Sequence, residues 1–288
     1  MITPQIEIPK LAQFLNISRL FFKREDLHPL GSHKGRSIPL MIDKYASRGE
    51  KKFSISSSGN AALAAAKYIK EKNKAGASLS LEIFIGKNIP ENKKTGLVSL
   101  ADENIKVSEK ERPLQALFET INLGSKSLRQ STDDLALVGY ESLAKEIAET
   151  PDLSVIFIAT SSGTTAEAIG GFFLARKNPP EIHIVQTSSC HPISEIFDNR
   201  PDLKEISIAN SIADKVAHRK GKVVNIIKQT NGFGWIVSNK EIKLAKEKLE
   251  TNNVFISENG ALSFAGLCRA VSQGRKFEGA VVCIIGGK

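Results

Sequence analysis

A chain of 288 residues with 41% hydrophobic, 25% charged and 6% aromatic residues has the composition of a globular protein with a sizeable core, which excludes a disordered chain and a small disulfide scaffold. Its formal charge of +9 comes from lysines scattered through segments such as residues 70–74 and 87–94, with no arginine stripe interleaved with aromatics. The excess therefore reads as a solvated surface, or one suited to an anionic substrate or cofactor, and not as a specific nucleic-acid footprint.

No apolar run approaches the roughly 20 residues of a membrane helix, and the N-terminus lacks the ordered regions of a signal peptide. Cys190, Cys268 and Cys283 have neither zinc nor disulfide spacing, and His28, His183, His191 and His218 lack the spacing of metal ligands. A cytoplasmic protein without membrane association or bound metal is expected.

In chain order, the first segment with chemical content is KREDLHPLGSHKGRS, residues 23–37. Pro29, Gly31 and Ser32 make a turn there, and Lys34 stands at the entrance of a helix running to about Tyr45. The dipole at that end disfavours a cation and so favours the neutral amine that attacks carbonyls, although a lysine pointing to solvent from a cap fits the pattern as well. FSIS (53–56) predicts a short strand, SSGN a turn, and the alanine-rich residues 61–70 a helix. LEIFIG (81–86) predicts a second strand, and residues 140–149 a helix ending before Pro151.

SVIFIAT (154–160) is the continuous apolar run of a parallel strand covered on both faces. SSGTT and a helix to Ala175 follow, and IHIVQTS repeats the strand signal. Ser238 and Glu241 form an S-x-x-E capping box before Ile242, Ala245 and Leu249, which share one helical face. NVFIS (253–257) as a strand, a helix over 261–271 and the strand AVVCII (280–285) complete the alternation. Such alternation with short connections predicts an α/β fold with mostly parallel sheets, in which ligands sit at the carboxyl ends of strands.

Two turns have the right character for an anion: Ser56, Ser57, Ser58, Gly59 and Asn60 after one strand, and Ser161, Ser162, Gly163, Thr164 and Thr165 after another. Each presents small residues, exposed N–H groups and the positive end of a helix dipole. Helix capping alone accounts for either turn taken singly. Two in one chain point to a ligand with two anionic groups, for example a phosphate and a carboxylate.

The stretch from Lys23 to Arg36 resembles the lysine motif of the fold-type II pyridoxal-phosphate enzymes, the tryptophan synthase β superfamily, and the match continues in order. It runs through SSGN, GYESLAKEI (139–147), ATSSGTT (159–165), IVQTSSCHPI (184–193), VSNKEI (237–242), SENGALSFAGL (257–267) and the terminal IIGGK. The REDL…GSxKxR form and the E-x-G-A segment at Glu258 are most similar to threonine synthases and threonine-serine dehydratases.

The resemblance implies two three-layer α/β domains with the cofactor, pyridoxal 5′-phosphate, in the interdomain cleft. Residues 1–36 and 145–288 would form the larger, cofactor-binding domain and residues 37–144 the smaller, mobile one. It further implies that Lys34 holds the cofactor as a Schiff base and shuttles the α-proton. Ser161, Ser162, Gly163, Thr164 and Thr165 would cradle the phosphate, and Ser57, Ser58, Gly59 and Asn60 would bind the substrate carboxylate, with the Asn60 amide near the cofactor's phenolic oxygen. Glu258 would lie near the ring, where a charge placed for the helix dipole is the equal alternative.

The expected activity is β-elimination or replacement on a small hydroxy- or phospho-amino acid by a homodimer. Three features depart from the family pattern. Ile285 occupies the position opposite the pyridine nitrogen, where a hydrogen-bonding residue is usual. His33 and Gly35 replace the aromatic and acidic flanks of the lysine, and ATSSGTT is poor in glycine. These departures motivate an alternative, a degenerate member that binds cofactor or amino acid without efficient turnover.

Overall fold

The computed structural model describes residues 2–87, 89, 91–200, 203 and 205–287. Lys288, the last residue of IIGGK, lies outside them. Packing divides the chain into two units, Met1–His28 with Tyr140–Lys288, and Pro29–Gly139. In chain order the elements are β1 (Gln5–Glu7), α1 (Pro9–Leu15), β2 (Arg19–Arg24), α2 (Lys34–Ala46), β3 (Lys52–Ser56), α3 (Asn60–Lys74), β4 (Ser80–Gly86), α4 (Glu91–Val98), β5 (Ile105–Lys110), α5 (Pro113–Asn122), β6 (Lys126–Ser127), α6 (Leu135–Gly139), α7 (Glu141–Ala148), β7 (Leu153–Ala159), α8 (Thr164–Leu174), β8 (Glu181–Thr187), α9 (Lys220–Gln229), β9 (Gly234–Val237), α10 (Asn239–Glu250), α11 (Glu258–Ser272) and β10 (Ala280–Ile285).

The larger unit is built on a six-stranded sheet in the order β1-β2-β10-β7-β8-β9, in which only β1 runs antiparallel to its neighbour. Because successive strand residues point to opposite faces, each strand feeds two cores. Val281, Cys283 and Ile285 of β10 join Phe22, Phe157 and Val185 against α1, α10 and α11. Val282 and Ile284 join Phe21, Ile156, Ile158 and Ile184 against α7, α8 and α9. Helices therefore cover both faces, the three-layer arrangement that continuous apolar strands such as AVVCII require.

The same face of β2 carries Lys23, 1% exposed, whose ammonium pairs with Glu146 of α7 at 2.5 Å and donates to the Thr3 carbonyl at 2.7 Å. A buried ammonium is tolerated only when paired and hydrogen-bonded in this way, so Lys23 and Glu146, residues of two separate segments of the family-like pattern, clamp the N-terminal arm to α7.

The smaller unit has a four-stranded, fully parallel sheet in the order β5-β4-β3-β6. Phe53, Ile55, Ile83 and Ile85 pack with α2, α3 and α6 on one face, and Phe84 packs with Ala116 and Leu117 of α5 on the other. Helices α2 and α6 approach so closely that a Cβ on Gly139 would lie 2.4 Å from the Ser37 Cα, which is why the segment GYES opens on glycine.

Two sequence-based expectations differ from this architecture. Domain limits after residues 36 and 144 fall inside α2 and α7. A helix packs as one hydrogen-bonded rod, so the units part instead between residues 28 and 29 and between 139 and 140, and Lys34 belongs with the smaller unit. NVFIS is no strand: it has no ladder partner, and its apparent alternation reflects Val254 docking on the core while Phe255 is 71% exposed.

Candidate active site

In the smaller unit, Lys34 is the first residue of α2 and is half-buried, following a turn in which the fully buried Ser32 accepts the Lys34 backbone N–H at 3.2 Å. The N-cap residue, His33, makes no capping hydrogen bond of its own. The helix is held from behind, where Gln130 donates to the Ser37 hydroxyl at 2.8 Å. Ser57, Ser58, Gly59 and Asn60 form one half-buried turn between β3 and α3. Gly59 is the N-cap and brings no capping side chain, while Ser57 Oγ accepts the Gly59 N–H at 3.2 Å. The first-turn N–H groups of a helix have no intrahelical acceptor, so α3 presents them to any anion placed there.

In the larger unit, Ser161, Ser162 and Gly163 form the turn between β7 and α8, and Thr164 and Thr165 are buried in the first turn of the helix. Gly163 is the N-cap, with φ +91° and again no capping side chain. A Cβ there would lie 2.9 Å from Val223 Cγ2 and 3.3 Å from both Arg219 Cβ and Ile193 Cδ1, so glycine is required by conformation and by space together. Ser162 and Thr164 share a hydroxyl hydrogen bond of 2.9 Å, and Gly163 donates its N–H to Thr160 Oγ1 at 3.2 Å. The result is a turn with small residues, hydroxyl groups and helix-start amides without a capping side chain, a donor set that fits a phosphate group.

Sequence reasoning did not single out Gln186, which braces this turn. Fully buried at the end of β8, it donates to the Thr160 and Ser161 carbonyls at 3.2 Å each and accepts the Ile193 and Ser194 N–H groups at 2.9 Å each. The sequence signal was its place in IVQTSSCHPI, directly after an apolar strand.

Glu258 opens α11, where Ser257 caps the helix by accepting the Gly260 N–H. The Lys246 ammonium, donating to its carboxylate at 2.8 Å, holds Glu258 below the usual carboxylate range, aided by a backbone hydrogen bond. Glu258 is thus an ionised, partnered helix-start carboxylate. Ile285 ends β10, fully buried, against the first turn of α11, where a Cβ on Gly260 would lie 3.3 Å from Ile285 Cγ2. Its side chain offers neither donor nor acceptor, and Cys283 on the same face is also fully buried, its thiol pushed up by desolvation.

Among the described residues, no helix is long and apolar enough to cross a membrane, and no group of three or more His, Cys, Asp or Glu could hold a metal ion.

A lysine at a helix entrance and two helix starts without capping side chains, each after a parallel strand, are the elements that the resemblance to the pyridoxal-phosphate enzymes singled out. A model of the pyridoxal-phosphate dependent enzyme family matches residues 2–287, and the chain belongs to that family. It is similar to the threonine synthase of Methanosarcina acetivorans, with 25% identity over 305 residues that cover 99% of this chain and 74% of the relative. Its fold is similar to that of a pyridoxal 5′-phosphate-dependent aspartate racemase, with a TM-score of 0.80, 19% identity, and 100% of this chain and 90% of that one covered. It is similar as well to the processed form of threonine deaminase isoform 2 from Solanum lycopersicum, with a TM-score of 0.79, 18% identity, and 99% and 78% covered. The architecture is that of the fold-type II enzymes, and the cofactor is pyridoxal 5′-phosphate.

Proposed function

We propose that this enzyme catalyses β-elimination or β-replacement on a small hydroxy- or phospho-amino acid, in the manner of a threonine synthase or a serine/threonine ammonia-lyase. The observation that carries the proposal is the pair of uncapped helix starts, at Gly59–Asn60 and at Gly163–Thr164. One anion-binding turn suffices for the cofactor phosphate; a second calls for a substrate that is itself an anion, as the carboxylate of an amino acid is. Similarity to a threonine synthase over nearly the whole chain supports the same substrate class.

In this reading Lys34 would hold the cofactor covalently, and its amine would accept the substrate α-proton and return it. When bound, the cofactor would supply the electron sink that makes that proton removable. Ser161, Ser162, Thr164, Thr165 and the α8 amides hold the phosphate, with Gly163 shaping the turn. Ser57, Ser58, Gly59 and Asn60 fix the substrate carboxylate. Glu258 contributes a fixed negative charge anchored by Lys246.

A second reading, a member that binds cofactor or amino acid with little turnover, is favoured by one observation. Ile285 is fully buried in an apolar core and offers the ring nitrogen no hydrogen bond.

The two readings separate on incubating the cofactor-loaded protein with threonine, serine and O-phosphohomoserine. Loss of the β-hydroxyl of threonine or serine, with release of ammonia and a 2-oxo acid, is expected for β-elimination; release of inorganic phosphate from the γ-carbon of O-phosphohomoserine, with water added at the β-carbon, is expected for replacement of the threonine synthase kind. Inversion at the α-carbon without either product would mark a racemase instead, and binding without turnover on any of the three would leave the second reading.

A further inference from the structure

The segment 205–217 of the larger unit runs without helix or strand from beyond the short 3-10 turn Ser194–Ile196 toward α9. Its backbone is tied down by side chains from four places. Ser189, just past β8, accepts the Ser207 N–H and donates to the Glu205 carbonyl. Asn239, opening α10, accepts the Ile208 N–H and donates to the Ile206 carbonyl, both at 2.9 Å. Asn259, in the first turn of α11, accepts the Ser211 N–H at 3.0 Å. Ser161, just past β7, accepts the N–H groups of Ala213 and Asp214, both at 2.9 Å. Each of these side chains sits at a strand's carboxyl end or a helix start, so the segment is a strap laid over the edge of the sheet where the phosphate-binding turn lies.

The strap docks on the core through Ala209 and Ile212, while Ile206 and Val216 stand 91% and 65% exposed. Asp214 fixes its far end by accepting the Val216 and Ala217 N–H groups at 3.1 and 3.2 Å. A segment held by a few side-chain hydrogen bonds, and not by a backbone ladder, opens at lower free energy than the elements beneath it.

Ser161 is the junction. A serine hydroxyl has two acceptor positions and one proton. Both acceptor positions are taken by the strap amides, so the proton is left to donate, and accepting two hydrogen bonds strengthens it as a donor.

We propose that Ser161 is a positioning residue that couples the strap to the phosphate-binding turn: the Ala213 and Asp214 amides orient its hydroxyl toward a bound anion, and the anion in return holds the strap down. Such coupling is reciprocal by thermodynamic necessity. The proposal rests on the reading of Ser161–Thr165 as the turn that takes the cofactor phosphate. It makes residues 205–217 a cofactor-sensing strap, loosened when the phosphate leaves.

The test is amide hydrogen exchange over 205–217 in the wild type, Ser161→Ala and Ser161→Thr, with no addition, with inorganic phosphate and with pyridoxal phosphate, beside the dissociation constant for pyridoxal phosphate. In the wild type, loading with pyridoxal phosphate slows exchange at Ala213 and Asp214, and inorganic phosphate reproduces part of the slowing. In Ser161→Ala the ligand-dependent slowing disappears and the dissociation constant rises about tenfold, the loss of one hydrogen bond to a charged group. Protection in α10 and α11, unchanged by the substitution, shows that the variant is folded, and Ser161→Thr, which keeps the hydroxyl, restores both effects.

Exchange in the strap that ignores loading, or Ser161→Ala with the full slowing and unaltered affinity, overturns the coupling while leaving the cofactor site intact. Pyridoxal phosphate binding no tighter than pyridoxal, with Ser162→Ala without effect, would instead remove the phosphate reading on which the coupling stands.

Discussion

Gly163 meets two constraints with one residue, a positive φ of 91° and a wall formed by Val223, Arg219 and Ile193. Alanine at this position must adopt a left-handed conformation at a cost of roughly 1–2 kcal/mol and push back Val223, whose Cγ2 stands 2.9 Å from the new Cβ. Gly163→Ala is therefore expected to lower stability by about 1–3 kcal/mol. It should also shrink the rise in melting temperature that pyridoxal phosphate gives the wild type, because the turn that moves is the one proposed to hold the phosphate. Thermal unfolding with and without the cofactor checks both; an unchanged cofactor-dependent rise would detach Gly163 from the phosphate turn.

At this scale the sequence displayed the small residues of both turns, because glycine, serine and threonine between an apolar run and a helix mark a helix start, whether they serve as caps or as an anion site. It did not display Gln186, since a buried amide satisfied by four backbone partners looks, in one dimension, like any polar residue ending a strand. His183 was legible only as a residue without metal-ligand spacing.

Among the elements, the β7-β8-β9 end of the larger sheet carries the clearest pH dependence. His183 of β8 stacks on Phe157 of β7 with ring centroids 4.6 Å apart, and Trp235 of β9 donates its indole N–H to His183 Nδ1 at 3.0 Å. Nδ1 is thus an acceptor, so the neutral ring carries its proton on Nε2, which donates to Glu181 at 2.9 Å. Desolvation is the main cause lowering the affinity of His183 for a second proton, opposed by Glu181 and reinforced by the charge of Arg275.

The folded pKa therefore lies below the unfolded value of about 6.5. Above pH 6.5 both states are neutral at this residue. As the pH falls below it, the unfolded chain takes a proton that the folded chain refuses, and stability is lost by up to roughly 1.4 kcal/mol per pH unit until the folded pKa is reached. Urea unfolding between pH 7 and pH 5, followed through Trp235, the chain's single tryptophan, should show this decline. In His183→Gln the decline should be shallower even though the variant starts less stable. Parallel declines would place the acid-sensitive group elsewhere.

For the whole molecule, the parallel α/β character was plain from AVVCII and SVIFIAT, whose unbroken apolar runs feed a core on each face. The strands at the margins were not. RLFFKR forms β2 although its ends are charged, because Lys23 is buried against Glu146 and because only the sheet supplies Val281 and Cys283 as neighbours. β6 is only Lys126–Ser127, too short to carry a period.

The unit limits escaped the sequence for a related reason. They follow from which helices pack on which sheet, as with Gly139 against Ser37, and not from any change in composition. The strap 205–217 has no periodicity at all, since side chains from four distant segments hold it.

The proposed chemistry, in turn, hangs on Lys34. Borohydride reduction of the protein loaded with pyridoxal phosphate, followed by peptide mapping and by absorption spectra of the wild type and Lys34→Ala, tests that residue directly. A single reduced cofactor–lysine adduct at Lys34 is expected, with a visible absorption band that Lys34→Ala loses. Label spread over surface lysines, or a band retained in Lys34→Ala, would contradict the assignment of Lys34 as the lysine that carries the cofactor.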